Sequence, residues 1–171
     1  MRIKFIKDQN SLTRNLTIEL LEQTPFDQWY ITPEIIKSNI AWQVGHLIVS
    51  QFYHSIAVIQ KPQLEIYTKI PLKEYFPIYS MATKSTLNEL NPTPETLLSQ
   101  LEMINKYANQ TIESLREEDL DKELEPTKFP HPIAKTKYEA LTWSFRHEMW
   151  HLGQIATLKR VLNNPINWYK K

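Results

Sequence analysis

"TKYEALTWSFRHEMWHLGQIATLKRVLNNP", residues 136–165, decides how the rest of the chain is read. Thr136 and Glu139 fit a capping box, in which a hydroxyl and a carboxylate exchange bonds with orphan backbone amides at a helix start. Asn164-Pro165 stops the helix at about Asn163, because a residue before proline is pushed out of helical geometry. His147 and His151 stand one turn apart and share a face. Forward, that face continues through Gln154 or Ile155, Leu158 and Leu162; backward, through Ser144 and Ala140. Its small and apolar members turn the two imidazoles toward an interior.

Three more helices are expected. The first runs from about Asp8 to Gln23 with Leu12, Leu16 and Leu20 as its stripe, and ends at Thr24-Pro25. The second runs from about Asn39 to Gln60, with Trp42, His46, Val49, Tyr53 and Ile56 on one face. The third opens at "NPTPE", where Thr93 caps and Pro94 fits the first turn. Its buried face is Leu97, Leu101, Ile104, Ala108 and Leu115. The connection Lys61–Asn91 is expected to hold one shorter helix over Ser80–Leu90, and "EPTKFPHPIAK" reads as an extended loop. The fold class is all-α: a four-helix bundle in a single domain, 1–171, with an extra short helix in the long connection between helices 2 and 3.

Composition narrows the function. A 42% hydrophobic, 23% charged chain of 171 residues can build a core. A net charge of +1, with scattered basic residues, gives no field to recruit nucleic acid or acidic lipid. No apolar run approaches the ~20 residues of a membrane span. With no cysteine, disulfides, thiolate ligands and thiol nucleophiles are excluded. "MRIKFIKDQN" has no unbroken apolar stretch after its positive charges, so a cytoplasmic protein is expected. Only two glycines occur, Gly45 and Gly153, and no phosphate-binding glycine motif. Both lie inside expected helices, where glycine costs ~1 kcal/mol relative to alanine. The expectation is that backbone and bulky groups approach closely at both.

His46 occupies an interior position on the second helix, so two helices can bring three imidazoles to one point. Two adjacent interior imidazoles are hard to satisfy without a cation or water, and imidazole suits zinc, nickel and iron. The string His147-Glu148-Met149-Trp150-His151 also matches the H-E-x-x-H of zinc proteases. That reading needs a third ligand downstream, and residues 152–171 contain no His, Asp or Glu. Glu148 lies about 100° around the helix from His147. It is either a catalytic base or a carboxylate that supports the site or faces solvent.

"NIAWQVGHLIVSQFYH", residues 39–54, and "ALTWSFRHEMWHLGQIATLKRVL", residues 140–162, resemble the DinB/YfiT-like superfamily. The matching elements are W-x-x-G-H, ending on His46, and H-x-x-x-H-x-G-Q, from His147 through His151 to Gln154. The resemblance implies a bundle in down-up-up-down order, a divalent metal held by His46, His147 and His151, and a homodimer. Such relatives include thiol S-transferases, thiol-dependent isomerases and proteins labelled metal-dependent hydrolases.

Three neutral imidazoles leave coordination positions for a water or a thiolate. The expected activity is therefore small-molecule hydrolysis or thiol transfer, with a low-molecular-weight thiol as a possible second cofactor. Trp42, Tyr53, Trp143, Trp150 and Gln154 are the candidates to line a pocket. His54, about 80° off the His46 face, is expected at a helix boundary or the surface, and His131, between two prolines, in solvent, with the pocket mouth as the alternative. The alternative is a non-catalytic bundle whose metal serves structure or sensing.

Overall fold

The computed structural model describes residues 1–80, 91–167 and 169. Its secondary structure is helical: α1 (Arg2–Glu22), α2 (Ile40–Phe52), α3 (Leu64–Lys69), α4 (Leu72–Tyr79), α5 (Pro94–Glu113) and α6 (Lys137–Val161). Short 3-10 turns occupy Phe26–Gln28 and Glu117–Asp121. Among the described residues there is no strand, only one isolated bridge between Glu123 and Thr136. None of the described helices is long and apolar enough to cross a membrane.

The cap chemistry is as read. Thr136 accepts from the Glu139 amide while the Glu139 carboxylate takes the Thr136 amide. Thr93 accepts from the Thr96 amide at 3.2 Å, with Pro94 in the first turn of α5. Asn39 caps α2 through the Trp42 amide at 2.8 Å. Helix α2 is the central element: every residue in it except Trp42 is buried. It packs against α4, α5 and α6, while α1 lies against α5 and α6. The main core includes Ile40, Val44, Leu47 and Ile48 of α2, Leu97, Leu101 and Ile104 of α5, and Ile155 and Leu158 of α6.

Three expectations change. Helix α1 starts at Arg2, and its buried face is Ile6, Asn10, Thr13, Arg14, Thr17, Leu20 and Leu21. Leu12 is 53% exposed and Leu16 only partly buried, so of the leucine stripe Leu20 alone belongs to the buried face. The polar residues turn inward because they find buried partners: Arg14 and Thr17 bond a carboxylate of α6, described below, and Asn10 bonds Asn105, Asn109 and Gln51. The second helix does not continue as α-helix to Gln60: α2 passes into a π-turn over Tyr53–Ala57, in which the Val58 amide reaches the Tyr53 carbonyl. The long connection holds α3 and α4, neither of them expected. Pro77 inside α4 and the shortness of α3 hide their periodicity. The helix expected over Ser80–Leu90 falls, past Ser80, outside the described residues.

Candidate metal centre

Helices α2 and α6 bring His46, His147 and His151 together. The His147 Nε2 lies 3.5 Å from the His46 Nε2 and 3.1 Å from the His151 Nε2. One nitrogen of each ring falls within 4.8 Å of the others, and all three rings are buried. A cation with metal–nitrogen bonds of ~2.0–2.1 Å in tetrahedral geometry separates its ligands by ~3.3 Å. The two observed spacings bracket that value.

The far nitrogens explain why the near ones converge. His46 Nδ1 donates to the Tyr79 carbonyl at 2.7 Å. A carbonyl only accepts, so the proton is on Nδ1 and Nε2 carries a lone pair. His151 Nδ1 donates to Gln43 Oε1 at 2.5 Å. The Gln43 amide is oriented by its Nε2, which donates to Ser38 Oγ at 2.9 Å and to Gln154 Oε1 at 3.1 Å. Two lone pairs therefore point at His147 Nε2. A proton on that nitrogen serves one neighbour and leaves the other facing it; a divalent cation serves all three.

Electrostatics favour the ligating form. Burial lowers His147 to about 4, with His46 adding to the effect. Burial lowers His151 to about 2, helped by His46 and His147. It also lowers His46, against the opposing bond to the Tyr79 carbonyl. Neutral imidazole is what a metal requires.

Packing holds the rings in place. Trp42 stacks on His46 with centroids 5.1 Å apart, and its Nε1 donates to the Ile78 carbonyl at 3.2 Å. Gly45 is required for space: a Cβ there would lie 2.5 Å from the Tyr79 ring, whose backbone carbonyl holds His46. Gly153 has no such neighbour, since a Cβ there meets nothing within 4 Å. The close approach expected at both glycines exists only at Gly45.

A cavity of about 510 Å³ borders the cluster. His46 and His147 open onto it, together with Tyr53, Trp143 and Trp150 from the expected lining. Two expected lining residues are elsewhere. Trp42 backs His46, and Gln154 borders a smaller hollow of about 270 Å³ while bonding to Gln43. A larger hollow, about 790 Å³, lies between residues 121–127 and Thr136 and contains none of the three rings.

Glu148 is buried: its carboxylate faces neither solvent nor the histidines, and its bonds go to Arg14 and Thr17. Arg14 donates Nε to Oε1 at 2.8 Å and Nη2 to Oε2 at 2.9 Å, and Thr17 donates to Oε1 at 2.9 Å. Arg14 also bonds Gln51 and the Leu101 carbonyl, so this layer ties α1, α2, α5 and α6 together.

His54, expected at a helix boundary or the surface, does lie just past the end of α2, in the π-turn, but it does not face solvent. His54 is 7% exposed and lines the cavity, its ring centroid 5.4 Å from that of His147. Because α2 is buried on nearly all sides, an offset of about 80° does not bring a residue to solvent. His131 is half-buried and meets His54 at 2.8 Å. Gln43 and Tyr79 escaped the sequence reading. Gln43 has a signal, since it sits three residues before His46 on the same helix. The Tyr79 carbonyl has none, because any residue supplies one.

A family model of the DinB superfamily matches residues 9–155, and the chain belongs to that superfamily. No curated protein matches it.

Proposed function

We propose that this chain is a divalent-metal-dependent enzyme that transfers a group of a small, largely apolar molecule to water or to a low-molecular-weight thiol. His46, His147 and His151 hold the metal, which we read as zinc, nickel or iron on the strength of an all-imidazole donor set. The observation that carries the reading is the position of His46 and His147, both ligands and both walls of a cavity. A structural metal is closed by protein donors, whereas a catalytic one keeps a position facing the substrate. A cation in such a site supplies Lewis acidity and lowers the pKa of water or a thiol bound to it.

The remaining work falls to the chain. The Tyr79 carbonyl and Gln43 hold the Nδ1 protons, so that the Nε2 lone pairs stay aimed inward. Trp143, Trp150 and Tyr53 give the substrate an apolar wall. No Lys, Arg, Asp or Glu is among the described residues lining the cavity, which supports an uncharged body for the substrate. The reading includes the family's down-up-up-down bundle and its homodimer.

Metal analysis of untagged protein, followed by a screen of electrophiles with water or a thiol as acceptor, tests this. One metal per chain and turnover lost in His147→Ala are expected. A metal-free chain with intact helices ends the proposal.

A further inference from the structure

His131 is held in one tautomer. Its Nδ1 accepts the Ala134 amide at 2.8 Å and the Ile133 amide at 3.2 Å. With two N–H groups aimed at it, Nδ1 must present a lone pair, and the ring's proton is on Nε2. That Nε2 lies 2.8 Å from His54 Nδ1. His131 is therefore the donor and His54 Nδ1 the acceptor, which leaves the neutral His54 ring with its proton on Nε2. No protein acceptor reaches that Nε2 among the described residues, and the atom is not sealed from the cavity His54 lines. Tyr53 secures the arrangement: it stacks on His131 at 5.6 Å and 10°, and its hydroxyl donates to the Phe129 carbonyl at 2.8 Å. The loop that carries His131 is thus fastened to the π-turn that carries His54.

We infer that His54 is a substrate-binding residue, a fixed Nε2–H donor that takes an acceptor oxygen of the cavity's occupant, and that His131 is the positioning residue that sets its tautomer. The inference rests on the proposed metal-dependent activity and gives it a substrate class: an apolar body carrying a carbonyl, ester or carboxylate oxygen. That oxygen would sit beside His147, where the reacting bond must lie. In a wall otherwise dominated by aromatic and aliphatic groups, one oriented donor fixes which end of the molecule faces the cation.

The test uses full-length protein and has two readouts. Long-range proton–nitrogen NMR of the five imidazoles at neutral pH is expected to show Nε2–H at both His54 and His131. In His131→Phe, the single-tautomer pattern at His54 should be lost. Benzoate serves as the ligand probe, with toluene as the control that lacks an acceptor. Benzoate affinity should fall about tenfold in His54→Phe, as for a lost hydrogen bond to a charged group. It should largely return in His54→Gln, which restores a donor. Toluene affinity and metal content should hold in both. An Nδ1–H signal at wild-type His54, or benzoate affinity indifferent to His54→Phe, overturns the inference whatever the metal content. A metal-free protein that still shows the tautomer pattern and the benzoate loss overturns the metal reading alone.

Discussion

On one side of α6, Glu148 meets Arg14; on the neighbouring side, His147 and His151 meet His46. Both are buried polar clusters, and both join α6 to other helices. In the first, donors and acceptors match: a guanidinium, a carboxylate, a hydroxyl and an amide close on one another within 2.9 Å, without help. In the second, the outer nitrogens of His46 and His151 are satisfied and the inner ones are not, because three ring nitrogens converge where at most one proton can be shared. A buried polar cluster that closes on itself ties its helices together at little cost, whereas one left with converging lone pairs is costly on its own and could hold a cation. The H-E-x-x-H string puts a member of each kind in adjacent positions, which is why its protease reading misleads.

The comparison breaks most visibly if the histidine layer can lose a member without losing metal. His46→Ala and His147→Ala should each abolish stoichiometric metal, measured by elemental analysis after dialysis, while circular dichroism keeps its helical signal. Unfolding of either variant would instead make the layer structural. The opposite pattern is expected at the other layer. Arg14→Ala strands the Glu148 carboxylate in the core and should cost about 3–5 kcal/mol in urea denaturation. Its metal content should stay at one per chain wherever the protein is folded.

Acid should separate the layers next. His147 and His151 have folded-state values near 4 and 2, both held down chiefly by burial. Unfolded, they titrate near 6.5. Between those limits the unfolded chain binds more protons, so their contribution is complete above about 6.5 and drains away as pH falls toward 4. Metal-free protein should lose roughly 2 kcal/mol per ring between pH 7 and pH 5. His147→Gln should flatten that slope; a slope unchanged by the substitution would place the titration elsewhere.

How much of this was legible depends on the kind of bond. The helix faces of α2, α5 and α6 follow from apolar spacing and caps, and the three imidazoles follow from those faces. The face of helix α1 is hard to read because it is polar: Asn10, Thr13, Arg14 and Thr17 look like surface until Glu148 is known to be buried opposite Arg14 and Thr17, and Asn105, Asn109 and Gln51 opposite Asn10. The histidine pair 54 and 131 was missed because the contact joins a π-turn to a proline-rich loop 77 residues away, and neither has a periodicity to read. Gln43 lies between these cases. It shares a helix with His46, yet its partner His151 comes from another. Gln43→Leu removes the acceptor that orients His151, and should weaken metal binding about 10–100-fold, read by competition with a chelator. Affinity equal to wild type would mean that His151 needs no such anchor.

The two glycines give the smallest test. Alanine in place of glycine in a helix is worth ~1 kcal/mol when the site has room. Gly153 has it, and Gly153→Ala should raise stability by about 0.5–1 kcal/mol with metal affinity unchanged. Gly45 does not, because the new methyl would enter the buried ring of Tyr79. Overpacking of this kind costs about 1–3 kcal/mol, more than the helix gains. Moving Tyr79 also moves the carbonyl that holds His46 Nδ1, so Gly45→Ala should lose metal affinity along with stability. Thermal melts and chelator competition on both variants decide it. If Gly45→Ala kept full affinity, the carbonyl of Tyr79 would not be what aims His46 at its partners.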